Sequence, residues 1–205
     1  FGTSYSLKKV NEKNPIVFIH GVGLTKEIWD PQINFFKDYN TLTYDLLGHG
    51  KTPLSKSNIS FDDFSQQLFK LINELNLKKI HLIGFSLGAL IARNFASENS
   101  KKLESLVLLG SIYKRNEDQI RVVKNRFETS KTNKSASKQA ALRRWFSEDF
   151  IKKNPDVYKK IYSILEKNNR TDFLKCYEIF VNYIDDDSML RKIKVNTLIT
   201  TGKND

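Results

Sequence analysis

Lys79-Ile80-His81-Leu82-Ile83-Gly84-Phe85-Ser86-Leu87-Gly88-Ala89-Leu90-Ile91-Ala92-Arg93-Asn94-Phe95 is the stretch on which the fold turns. Its first part, Lys79 to Gly84, has the apolar content of a buried strand, with Ile80, Leu82 and Ile83. Its last part opens a helix, Leu87 to Glu98, containing Ala89, Leu90, Ala92 and Phe95. Between them Gly84-Phe85-Ser86-Leu87-Gly88 fits G-x-S-x-G in a strand–turn–helix setting. A chain that reverses this sharply needs small residues two before and two after the turn. The serine is then lifted out on a strained backbone, with the helix N-terminus beneath it favouring negative charge.

Working outward, Ile16 to Ile19 is a β-branched and aromatic run, a second buried strand. Thr41 to Asp45, Leu103 to Gly110 and Thr197 to Thr201 are further strands, and Gly2 to Lys9 carries the start of one. Helical spacing recurs over Ile28–Phe36 and Phe61–Leu75, the latter with Phe64, Leu68, Leu71, Ile72 and Leu75 on one side and Ser60 as its cap. Strands alternating with helices predict an α/β fold with a mostly parallel sheet covered on both faces. The alternation stops between Ile112 and Asp187. That region predicts helices over Glu117–Phe127, Lys138–Trp145, Asp156–Glu166 and Asp172–Ile184, with Lys131 to Lys138 as a polar loop. A helical block between two strands of one sheet predicts an inserted cap. The organisation expected is a core over 1–111, a cap over 112–190 and the core resumed over 191–205.

Two glycine-bearing loops follow strands. His20-Gly21-Val22-Gly23 follows Ile16–Ile19, and its glycines allow a backbone N–H to turn into the same cleft as Ser86. Donors of that kind stabilise an oxygen that becomes negative during acyl transfer. The backbone N–H groups of Val22 and Leu87 are the candidates. His20 has the place of a structural residue that orders this turn through its ring. Asp45-Leu46-Leu47-Gly48-His49-Gly50-Lys51-Thr52 reads as a rigid turn, and His81, inside a strand, as a packed core residue.

Taken together, the strand into H-G-x-G, the D-x-x-G-H-G-x-T loop, G-x-S-x-G, the helical block and the strand into Gly202-Lys203-Asn204-Asp205 resemble the α/β-hydrolase fold family over nearly the whole chain. The resemblance implies a serine hydrolase: Ser86 as nucleophile, Asp205 as the acid that orients a histidine, and no cofactor. Asp185, Asp186 and Asp187 are rivals for the acid only if it comes from the cap. In the family the histidine follows the acid, whereas His20, His49 and His81 all precede Asp205. The expectation is therefore a chain that stops before its last strand, histidine loop and terminal helix, and that is trimmed ahead of Phe1. Trp29-Asp30-Pro31-Gln32 and Arg144-Trp145-Phe146 look like 3-oxoadipate enol-lactonases and nearby carboxylesterases. Phe85 and Trp145 are the substrate-lining candidates, and Trp29 is expected in the core. A non-catalytic binding member of the fold, and a lyase or C–C hydrolase on the same triad, are the alternatives.

Composition narrows the partners. Hydrophobic residues make up 40% of the 205, enough for a core. The net charge of +11 is spread along the chain and mixed with acids, without a basic and aromatic stripe, which argues against nucleic acid. No apolar run is long enough to span a membrane and the opening residues show no leader pattern. The single cysteine, Cys176, excludes an internal disulfide and points to the cytoplasm. Three scattered histidines and one cysteine give no metal-ligand spacing. The partner expected is a small-molecule substrate.

Overall fold

The computed structural model describes residues 2–203. Six strands form one sheet: β1 (Tyr5–Lys8), β2 (Ile16–Ile19), β3 (Thr41–Tyr44), β4 (Ile80–Phe85), β5 (Leu103–Leu109) and β6 (Thr197–Thr200). Their spatial order is β1-β3-β2-β4-β5-β6, and every pairing is parallel except β1 with β3. The parallel β2, β3, β4 and β5 could only form where both faces are covered. β2 shows why its sequence has no polar alternation. Val17 and Ile19 join one core cluster, while Ile16 and Phe18 face the other side against Trp29. Trp29 is thus a core residue, its ring 5.0 Å from that of Phe18.

Helices α2 (Phe61–Glu74) and α3 (Leu87–Asn99) pack on the first face, with Phe64, Leu68, Leu71, Ile72, Ile91 and Phe95 in its cluster. Ser60 caps α2 in a reciprocal box: its side chain accepts from the Asp63 N–H while the Asp63 carboxylate accepts from the Ser60 N–H. On the other face the expected Ile28–Phe36 helix divides in two, a short 3-10 turn over Lys26–Trp29 and α1 (Asp30–Phe35) with Pro31 in its first turn.

Between β5 and β6 come six helices: α4 (Glu117–Thr132), α5 (Lys134–Trp145), α6 (Glu148–Lys153), α7 (Pro155–Lys167), α8 (Arg170–Val181) and α9 (Asp187–Arg191). The polar stretch Lys131–Lys138 is not a loop. α4 runs through it to Thr132, and only Asn133 interrupts the helix before α5 begins. Asn133 adopts an extended backbone and its side chain accepts from the Ala136 N–H, so one residue ends α4 and caps α5. Lysine and alanine are good helix formers, and polarity there reflects solvent exposure rather than irregular backbone. α6 escaped the sequence reading because six residues show too little periodicity. α8 ends at Val181, three residues earlier than expected.

One ion pair ties this helical segment to the sheet. The Arg93 guanidinium of α3 and the Asp185 carboxylate are both buried and paired, and Arg93 also donates to the Ile112 carbonyl at 2.7 Å. Asp185 accepts in addition from the Lys114 N–H at 2.7 Å.

Candidate functional site

Ser86 joins β4 to α3 with φ 55° and ψ −115°, a conformation that an L-residue enters at a cost of about 1–3 kcal/mol. Its N–H donates to the Leu109 carbonyl at 2.9 Å, so sheet pairing with β5 continues up to the serine itself. The two glycines of the motif have separate reasons. A Cβ on Gly84 would stand 2.6 Å from the Gly88 carbonyl carbon, and one on Gly88 would stand 2.6 Å from the His20 carbonyl oxygen. Gly84 thus lets the helix fold back on the strand, and Gly88 lets α3 abut the end of β2.

The His20–Gly23 loop lies against the serine. A Cβ on Gly21 would lie 3.3 Å from the Ser86 Cβ and 3.3 Å from the Phe85 ring. Gly23, at φ 75°, completes a turn closed by the Leu24 N–H donating to the Gly21 carbonyl at 3.2 Å. The Val22 N–H makes no hydrogen bond among the described residues. Leu87 is the first residue of α3, where a backbone N–H has no intrahelical acceptor. Gly21, the chain neighbour of Val22, and Leu87, the first residue of α3, thus flank Ser86 at the carboxyl end of the sheet.

All three histidines have other work. The Leu46 N–H donates to His20 Nε2 at 3.0 Å, so the proton sits on Nδ1, which donates to the Gly21 carbonyl at 2.8 Å. His20 thereby locks the turn that carries Val22. Burial first, and then the His49 ring 5.2 Å away, lower its pKa to about 3. His49 is buried in the Asp45–Thr52 loop with Nδ1 against the Leu47 carbonyl at 3.0 Å, and burial lowers its pKa to about 4. His81 lies on β4, five positions before Ser86, with its Nδ1 2.8 Å from the Ser105 hydroxyl. Asp45 is occupied by backbone donors, taking the Lys26 N–H at 2.8 Å and the Lys51 N–H at 3.1 Å.

Among the acidic candidates, Asp205 lies outside the described residues. β6 ends at the same carboxyl end of the sheet as β4: Thr200 pairs with Leu109, whose carbonyl takes the Ser86 N–H. Two strand spacings, roughly 10 Å, separate the end of β6 from the serine. The rival aspartates are engaged elsewhere. Asp185 pairs with Arg93, Asp186 caps α9 through the Ser188 N–H, and Asp187 takes the Lys114 ammonium at 2.8 Å.

Beside the Val22 turn a cavity of about 120 Å³ opens between α4, α5, α7 and α8. Val22, Trp145, Leu165, Phe173 and Tyr177 form its apolar lining. Trp145 is thus on the cavity wall, whereas Phe85 is not; its ring packs behind, against the cluster around Leu24 and Leu165 and the one around Phe18 and Trp29. The helices also grip the turn directly. The Asn168 amide donates to the Gly23 carbonyl at 2.7 Å, and Cys176, fully buried, sets its Sγ 3.4 Å from the Leu47 carbonyl. Among the described residues there is no group of three or more metal-ligating side chains, and no helix long and apolar enough to cross a membrane.

The family model described as alpha/beta hydrolase fold matches residues 14–205. An (E)-2-((N-methylformamido)methylene)succinate hydrolase of Acinetobacter baylyi is 30% identical over 199 residues, covering 95% of this chain and 73% of that protein. The 3-oxoadipate enol-lactonase 1 of the same organism is 27% identical over 193 residues, 93% of this chain and 71% of that protein. Among solved structures, the enol-lactonase from Burkholderia xenovorans LB400 superposes with a TM-score of 0.88 at 21% identity, over 98% of this chain and 78% of that one. The order of strands, the turn at Ser86 and these similarities agree, and the chain belongs to the α/β-hydrolase fold family.

Proposed function

We propose that the protein is a serine hydrolase that cleaves a small-molecule ester, lactone or related acyl bond through an acyl-serine intermediate. The observation that carries this reading is the left-handed backbone at Ser86 held against the Gly21–Val22 turn. In the mechanism, the Ser86 Oγ attacks the carbonyl carbon and its proton passes to a base. His20, His49 and His81 are not that base, since each ring is committed to a loop or strand. The oxygen that becomes negative takes hydrogen bonds from the Val22 and Leu87 N–H groups, fixed before the reaction begins. The alcohol departs, or stays tethered if the substrate is a lactone, and water then releases the acid from Ser86. Asp205 has the role of orienting the cationic base. Residues 112–190 act as a cap, with Trp145 against the substrate and Phe85 supporting the floor. Of the similar proteins named above, one is a hydrolase and one a lactonase by name.

The test is covalent. A fluorophosphonate probe is expected to label the protein at Ser86, and Ser86→Ala is expected to lose both the label and turnover of a 4-nitrophenyl ester by at least about 10³-fold. Label or turnover retained in Ser86→Ala overturns the nucleophile. No label on the unaltered full-length protein moves the reading to a ligand-binding member of the fold. A lyase or C–C hydrolase on the same residues is the second reading, favoured by the cationic lining of the cavity; product analysis separates it from ester cleavage.

A further inference from the structure

The excess positive charge of this chain is scattered in sequence, but the fold gathers part of it at one place. Five of the residues lining the cavity beside Val22 are cationic: Arg126, Lys134, Lys138, Arg144 and Arg170. None of its lining residues is acidic. With 34 basic and 23 acidic residues in the chain, an average surface patch holding five cations would hold about three acids, so the lining is not a sample of the surface. Three of the five are partly satisfied. Lys134 and Lys138 share the Glu166 carboxylate, and Arg170 donates to the Lys131 carbonyl. The other two are not. Arg126 and Arg144 make no ion pair among the described residues, and the Arg144 guanidinium lies 6.0 Å over the Trp145 ring centroid.

These two arginines are close enough to oppose each other. Desolvation by the cavity wall, then the charge of Arg126, holds the Arg144 guanidinium below its ordinary pKa. Placing like charges side by side without a counter-ion costs free energy that a solvated surface would avoid by rotating them apart. The last turn of α5 does not need Arg144 for its dipole either, since Arg143 is there and does not line the cavity. Tyr177, on α8, lines the same cavity and feels both charges. Burial pushes its phenol upward and the charges of Arg144 and Arg126 pull it back, so the hydroxyl stays protonated and can donate.

We infer that Arg126, Arg144 and Tyr177 form a clamp for a carboxylate carried by the substrate, opposite the end that reaches Ser86. The inference rests on the reading of Ser86 as nucleophile for the position of the scissile bond, but not for the binding of the anion. Two guanidinium forks and a hydroxyl match the two oxygens of a carboxylate, and each such bond is charge-assisted. Val22 is the link: it lines the cavity and follows Gly21, which lies against the serine. A substrate anchored at one end by its carboxylate would have its ester or lactone carbonyl drawn toward the Val22 N–H, which makes the clamp a specificity device.

The test uses monomethyl succinate, monomethyl glutarate and monomethyl adipate, each beside its neutral half-amide, because chain length decides whether one molecule spans both sites. Calorimetric titration of the Ser86→Ala protein reads binding without turnover. At least one acid is expected to bind about tenfold to hundredfold more tightly than its amide. Arg126→Gln with Arg144→Gln is expected to erase that preference while leaving binding of the amide unchanged. Arg143→Gln, which removes the same charge from outside the cavity, is expected to leave it intact. Equal binding of acid and amide at all three lengths overturns the clamp. So does a preference that survives the double substitution, or one that falls equally with Arg143→Gln, which would mark a diffuse field instead of a site. The proposed hydrolysis fails separately, by the absence of probe labelling at Ser86, and that result leaves the binding outcomes readable.

Discussion

Two surfaces meet at Val22, and they are built in opposite ways. The floor around Ser86 is backbone: a serine at φ 55°, a turn through Gly21 and Gly23, and two glycines that let β4, α3 and β2 touch. The wall opposite is side chains carried on α4, α5, α7 and α8, five of them long cations. On the floor a single added carbon collides with a carbonyl. On the wall a whole guanidinium can be exchanged without moving the chain. Chemistry common to a family belongs on the first kind of surface and choice of substrate on the second, because only the second can vary at little cost to folding.

A buried ion pair joins the floor to the helices of the wall. Arg93 is on the helix under the serine and Asp185 follows the helices of the wall, and their ion pair is buried on both sides. Asp185→Leu alone strands a buried guanidinium and is expected to destabilise the protein by about 3–5 kcal/mol in urea unfolding. Arg93→Met with Asp185→Leu is expected to recover most of that loss, since an apolar pair of similar volume replaces the charges. If the single change costs no more than a surface substitution, the two regions are held by packing and by contacts such as the Asn168–Gly23 hydrogen bond instead.

Within the floor, Gly88→Ala is the next largest effect. Its Cβ would press on the His20 and Ile19 carbonyls, which belong to backbone and cannot rotate away. A loss of about 3 kcal/mol is expected in the same measurement, with α3 pushed off β2 and the Ser86 turn displaced. A stability change below that of an ordinary helix Gly→Ala would mean that the close approach is not what requires glycine.

The floor should also respond to acid in a way the wall does not. His20 and His49 fold as neutral rings with pKa values lowered to about 3 and about 4. The unfolded chain binds more protons than the folded one below pH 6.5, so stability rises with pH there. It is fully present above about 6.5 and is lost as pH falls toward 4 and then 3. Each ring contributes roughly 2 kcal/mol of loss between pH 7 and pH 5. Replacing His49 with Gln should halve the slope, as read from urea unfolding at the two pH values; an unchanged slope would locate the acid sensitivity elsewhere.

The same contrast explains what could be read from the residues in order. Gly84-Phe85-Ser86-Leu87-Gly88 is legible because its geometry is local: five consecutive residues must make one turn, and few sequences allow it. His20 was readable for a related reason, standing one position before the glycine whose carbonyl it holds. Arg126 and Arg144 carry no comparable signal. They lie 18 positions apart on different helices among 34 basic residues, and only the packing of α4, α5 and α8 brings them to one cavity. Arg93 and Asp185, 92 positions apart, were equally hidden. The Lys131–Lys138 segment failed for another reason: its polarity spoke of solvent, and solvent-facing helix and loop share a composition.

The smallest effect is the most telling about the wall. Arg126→Gln and Arg144→Gln, singly, are expected to change unfolding stability by no more than about 0.5 kcal/mol, since both side chains are solvent-accessible and unpaired. The direction should be toward greater stability, because either change removes the like-charge repulsion between the two. Added salt should shrink that gain, as screening already weakens the repulsion in the unaltered protein. A loss of 1 kcal/mol or more on either change would mean that the arginines hold the helices together. The cations would then be part of the architecture, and the division between a backbone floor and an exchangeable wall would not hold at Val22.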